Sequence, residues 1–313
     1  MRVATNSYTD SMLRQFSALS GRLNTLQNQA ATGLSVHSPA DNPAAMRKTL
    51  NYLSDKAQQT QYSENISTLQ TRATSVFSVM ESLQTLTSRA SEIAISAGSG
   101  TSSQANLDNH ASEVRQLIQQ AVQLVNTKDP STGQYLFGGT DSTQPPYATT
   151  TDAQGNITGV TYQGNSSINQ SEIASGVTAS VDVPGANTGT SGARGLITDG
   201  VSGADLFNHL LALENDLKSG DTNAITSTDS ANLQKDGDNQ LYQISNIGAV
   251  QTRLTSAASF ADNRSSSLDA MISDISGANL SDTLVQLTQA QSAYQAALAS
   301  SAQIMKLSIL NYM

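Results

Sequence analysis

The sequence predicts a mainly α-helical chain with a β-containing insert: long antiparallel helices forming a coiled-coil rod, with helical arms at both ends. Three observations predict it. Apolar residues recur in a 4-3 alternation over long stretches, the spacing of a helical seam. Aromatics make up only 4% of the 313 residues and Trp is absent, so one large globular core lacks its usual bulk. Residues 129–200 break the alternation with runs rich in turn residues.

The first helix is marked by Met12, Phe16, Leu19, Leu23, Leu26 and Ala30, with Gly33 at the place where it would end. A continuous helix cannot cross "GLSVHSPADNPAAMRKTL" (33–50). Pro39 and Pro43 lack an N–H and bias the residue before them away from helical backbone. Asp41 and Asn42 ahead of Pro43 restart a helix, a side-chain cap followed by proline at the first helical position. The second helix carries Tyr62, Ile66, Leu69, Ala73, Val76, Met80, Leu83, Ala90 and Ala94, with Thr87 a weak position, and ends near Gly98. Its length of roughly 50 residues at 1.5 Å each gives about 75 Å, which suits a coiled coil. A third helix, about 104–127, carries Leu107, Ala111, Val114, Ile118, Ala121 and Val125.

In the middle segment Val177, Ala179, Val181 and Val183 alternate with Thr178, Ser180 and Asp182, the period of a half-buried strand. Helices resume at about 203–218, with Leu206, Leu210, Leu213 and Leu217. They continue at about 228–276, with Leu241, Ile244, Ile247, Leu254, Ala261, Leu268, Ile272 and Ile275. "SGANLSD" is a second stop and restart. The last helix, about 281–311, sets Leu280, Leu284, Leu287, Tyr294, Leu298 and Met305 on one seam that Gln291 and Ser301 interrupt. The expected divisions are a terminal assembly arm and turn (1–42), the first half of a rod (43–128), a β-rich surface insert (129–202), the second half (203–278) and a C-terminal assembly arm (279–313).

The formal net charge is −9, and residues 129–238 hold 13 acidic against 3 basic residues, a net −10. The ends are therefore near neutral, as expected of ends that pack against protein around a middle that faces water. Nothing is basic enough for nucleic acid. With no cysteine, disulfides and thiolate metal sites are excluded. No apolar run of 18 residues predicts membrane insertion. The start "MRVATNSYTDSMLRQF" lacks the apolar stretch of a signal peptide, which leaves a cytosolic protein or one exported without a cleaved signal.

Catalysis finds little support. His37, His110 and His209 lie far apart with no ligand spacing around them and are read as exposed or capping side chains. "DGDN" (236–239) lacks calcium-loop spacing and is read as a solvated turn or an acidic helix start. No catalytic, cofactor-binding or metal-ligating residue is assigned. Apolar seams at both extremes, where chains fray, point to packing between subunits. The expected subunit-assembly residues are Met12, Phe16, Leu19, Leu23 and Leu26 in one arm, and Leu284, Leu287, Tyr294, Leu298 and Met305 in the other. Pro39, Asp41, Asn42 and Pro43 set the arm-to-rod turn.

"RLNTLQNQAATG" (22–33) followed by "LSVHSPADNPAAM" (34–46) resembles the N-terminal helix and turn of the flagellin superfamily. Residues 279–313 resemble its C-terminal arm, and "IGAVQTRL" (247–254) the segment before it. The N-terminal wording and "GQYLFGG" (133–139) are closer to the hook-associated branch than to filament flagellin. The resemblance implies a homo-oligomeric ring at the hook–filament junction of the bacterial flagellum, between the first junction protein and flagellin. It also implies export through the flagellar type III apparatus, with a cytosolic chaperone on the C-terminal arm, and arms that order on assembly. The alternatives are a filament flagellin, an exported enzyme with its activity in the insert, and an intracellular coiled-coil scaffold.

Overall fold

The computed structural model describes residues 2–99 and 102–310, with side chains over 10–99 and 102–303. Its helices are α1 (Arg2–Thr32), α2 (Pro43–Ala97), α3 (Gln104–Val125), α4 (Leu206–Ser219), the single turn α5 (Thr222–Ala224), α6 (Ser230–Ser276) and α7 (Leu280–Leu310). A π-helical turn, Ile225–Asp229, joins α5 to α6. The chain is mainly α with a β insert, as its periodicity predicts, and two compact units divide it. One comprises 60–262; the other comprises 1–59 and 263–313.

The 60–262 unit holds the continuous core. Every residue that the second-helix seam named, from Tyr62 through Ala94, is buried, and so are the named residues of α3 and the four leucines named in α4. Thr87, the weak position, is buried too. Its hydroxyl donates to Leu83 O (3.0 Å) and accepts from the buried Gln240 Nε2 (2.9 Å), so α2 and α6 meet there through a polar layer.

The α6 seam departs from expectation at its start. Leu241 is half exposed, while Asp236, Asn239, Gln240 and Gln243 are buried. "DGDN" is therefore neither turn nor helix start; it lies inside α6 against the insert. Asn239 Nδ2 donates to the carbonyls of Gly195 (2.8 Å) and Leu196 (3.0 Å), and Gln243 Nε2 to that of Arg194 (2.8 Å). Loop carbonyls buried against a helix need donors, and these side chains supply them.

The insert is three small sheets. β1 (Tyr147–Thr151) and β2 (Ile157–Tyr162) form an antiparallel hairpin with Tyr147 opposite Tyr162. β3 (Ser171–Ala174) and β4 (Val177–Ala179) form a second. β5 (Ala186–Asn187), β6 (Thr198–Asp199) and β7 (Ala204–Asp205) complete a three-stranded sheet. The strand expected through Val183 stops at Ala179, and Val177 is exposed. Val181 and Val183 are buried as the alternation requires, but outside any strand.

Three anchors tie the insert to the helices. Arg72 of α2 reaches Asp182 Oδ1 (2.7 Å), Asp129 Oδ2 (3.4 Å) and the Leu136 carbonyl (3.3 Å). Asn126, at the end of α3, donates to Tyr147 O and accepts from Tyr147 N, both at 3.0 Å. The Tyr147 ring packs on Tyr162 and on Phe207 of α4. His209 is not the exposed or capping side chain expected: its Nδ1 lies 2.7 Å from Oδ2 of the buried Asp236.

Candidate assembly surfaces

The unit made of 1–59 and 263–313 is built on a different plan. Its described side chains include only three buried apolar ones, Leu26, Leu268 and Ala290. Nine large apolar side chains stand exposed in it, among them Leu13, Leu50, Leu53, Leu280, Leu284, Val285 and Leu298. Solvent-facing leucines scattered singly need no explanation, but this many on a unit with so thin a core mark surfaces awaiting cover.

Helices α1 and α7 pair antiparallel. Phe16 and Tyr294 meet edge to face, with ring centroids 5.8 Å apart. The two helix breaks are stitched together at one end of this pair. Ser35 N donates to Ser276 O (2.7 Å), Ala278 N donates to Gly33 O (2.8 Å), and the Ser35 hydroxyl also reaches Ser276 O (3.1 Å). Gly33 ends α1 with φ at +71°, a backbone that glycine adopts without strain.

In the turn that follows, two side chains hold backbone amides. Asp41 Oδ2 accepts from the backbone N–H of Ser38 (2.8 Å) and of His37 (3.0 Å). Those two amides, Ser38 first, hold its carboxyl below the usual Asp range. Asn42 Oδ1 caps α2 by accepting from Ala45 N (3.0 Å), and Pro43 is the first helical residue. Pro39 is exposed within the turn.

Of the expected assembly residues, Met12, Phe16, Leu19 and Leu23 are half-buried and Leu26 is buried. Leu287 and Tyr294 are half-buried, whereas Leu284 and Leu298 are 53% and 48% exposed. The side chain of Met305 lies outside the described residues. The packed face of α7 is therefore not the leucine seam. It runs Thr283, Leu287, Ala290, Tyr294, Ala297 and Ser301, again in 4-3 steps, but with small residues at most positions. Small side chains let helices approach closely, and a search for large apolar residues passes over them. The leucines one position away point outward. Leu13 and Val285 are exposed apolar residues that the sequence reading did not select.

Among the described residues no group of three or more His, Asp or Glu is arranged to hold a metal ion, and no helix is long and apolar enough to cross a membrane.

The bacterial flagellin N-terminal helical region matches residues 3–142, and the flagellin C-terminal helical region matches 238–313. No curated protein matches the chain. Among solved structures, a Vibrio parahaemolyticus protein described as a flagellar hook-associated protein shares 20% identity at a TM-score of 0.64, covering 76% of this chain and 100% of its own. Flagellar hook-associated protein 3 of Legionella pneumophila shares 16% at 0.57, covering 72% and 98%. The Bacillus cereus protein FlgL shares 17% at 0.57, covering 71% and 99%.

Proposed function

The chain belongs to the flagellin family, and we propose that within it the protein is a structural adaptor at the hook–filament junction of the bacterial flagellum. Copies form a ring between the first hook-associated protein and flagellin. The arms α1 and α7 pack against arms of neighbouring copies, and the acidic insert faces water. The chain reaches its place through the flagellar type III apparatus, held before export by a cytosolic chaperone on its C-terminal arm. Its role is structural, not catalytic.

One observation carries this reading: the segments 1–59 and 263–313, the outer parts of the flagellin-type regions, fold into a unit that buries few of its described large apolar side chains and leaves nine of them exposed. An interface of that kind is completed by other copies. The choice of junction over bulk filament is supported by the fold shared with hook-associated proteins across most of the chain.

The test is an epitope inserted between Gln154 and Gly155, in the exposed β1–β2 turn, followed by immunogold electron microscopy of intact flagella. A single narrow band at the hook–filament boundary is expected. Label along the whole filament reassigns the protein as a bulk flagellin, and expression without any label on flagella overturns the assembly reading.

A further inference from the structure

The 60–262 unit contains a cleft of about 520 Å³ between the first half of α6 and one edge of the insert, within the size range of ligand clefts. One wall is Tyr242, Asn246 and Arg253 of α6; the other is Ser180, Asp182, Val183 and Pro184 together with Arg194. Its floor is apolar, with Val183 and Ile247 buried and Val250 half-buried.

Two features of this cleft are unexplained by the fold. The first is charge. The segment 129–238 carries a net −10, yet the cleft holds two arginines with no carboxylate partner among the described residues. The guanidinium of Arg194 lies over the Tyr242 ring, 4.3 Å from its centroid, and Arg253 donates to the Thr178 carbonyl. Asp182, the acid lining the cleft, is already committed: Oδ1 to Arg72 (2.7 Å) and Oδ2 to the Asn169 N–H (3.0 Å). The second feature is backbone. Beyond β4 the chain leaves the ladder, and the amide of Val183, which lines the cleft, has no hydrogen-bond partner among the described residues. An unpaired backbone amide beside a sheet can take up the carbonyl of an added peptide.

We propose that this cleft docks an extended acidic peptide segment of a protein partner. The segment lies beside Val183, a backbone carbonyl accepting from its amide, and seats aliphatic side chains over Val183 and Ile247. Its carboxylates meet Arg194 and Arg253, each able to bind carboxylate through paired N–H donors. The proposal lies in a different part of the molecule from the arms and stands whether or not the chain occupies the junction.

The probe is a fluorescein-labelled peptide of alternating Glu and Val, followed by fluorescence anisotropy on the full chain. Binding that weakens with added salt is expected, with a loss of about tenfold or more in the Arg194→Gln/Arg253→Gln variant. A thermal melt checks that this variant is folded; if it is not, Arg253→Gln alone, at an exposed site, carries the test. Equal binding of a Lys–Val peptide, or an undiminished affinity in the variant, overturns the proposal. Binding of the acidic polysaccharide alginate, abolished in the variant while the peptide fails to bind, replaces the peptide with a carbohydrate.

Discussion

Asp229 sits in the π-helical turn with its side chain buried and its Oδ2 without a hydrogen-bond partner. Burial, and then the negative charge of Asp216, push its carboxyl up to about 6. An unfolded Asp titrates near about 3.9, so the folded state favours the protonated form. Its stabilising contribution is full below about pH 4 and is lost as pH rises through 6, a loss on the order of 2–3 kcal/mol. Asp229→Asn keeps the shape and cannot ionise. It should raise unfolding stability by about 1–3 kcal/mol at pH 8 and change little at pH 4. Urea unfolding of both proteins at the two pH values measures this; a gain of equal size at both would show that ionisation is not the cause. Asp236, about two turns further along the chain, is also raised by burial, but the His209 imidazole at 2.7 Å opposes that shift. It is the better accommodated of the two buried acids.

At the scale of elements, what the sequence disclosed depended on what each helix packs against. Every position named on the α2 seam is buried because its partners are mostly apolar, and periodicity reports apolar burial directly; Val79, Leu86, Ile93 and Ala97, buried beside that seam, were passed over. The α6 seam was legible from Ile247 onward and obscure before it. There the buried positions Asp236, Gln240 and Gln243 serve the carbonyls, amide and hydroxyl of distant segments, which local spacing cannot reveal. On α7 the seam was misplaced because Thr283, Ala290 and Ser301 are small. Both helix breaks were legible from Pro, Gly and cap residues, but not their pairing with each other. That pairing depends on Gly277, where a Cβ would fall 2.3 Å from the Ser273 carbonyl oxygen of the preceding turn. Gly277→Ala must shift that backbone, so the hydrogen bonds from Ser35 N and Ala278 N should weaken. Hydrogen exchange at these two amides is expected to quicken several-fold with the α2 core amides unaffected. Unchanged protection at both would mean the breaks are held by something other than this pairing.

For the whole molecule, the decisive contrast is where apolar surface goes. The continuous core lies between Ile66 and Leu254, within the 60–262 unit, while the unit of 1–59 and 263–313 keeps a narrow seam and shows leucines to solvent. A chain that stabilised itself through its ends would bury Leu284 and Leu298; one that assembles through them leaves these residues for a neighbour. The two purposes separate experimentally, because exposed side chains contribute little to the stability of the free subunit, typically within about 0.5 kcal/mol each. Leu284→Ser/Leu298→Ser should therefore melt as the parent does. In assembly each truncated leucine gives up burial on the order of 1.5–3 kcal/mol, repeated in every subunit of a ring. The variant should then be secreted and folded yet absent from the hook–filament boundary in the immunogold experiment. A melting temperature lowered by many degrees would place these leucines in the subunit's own fold. An undiminished junction band would place the contacts between copies on another face.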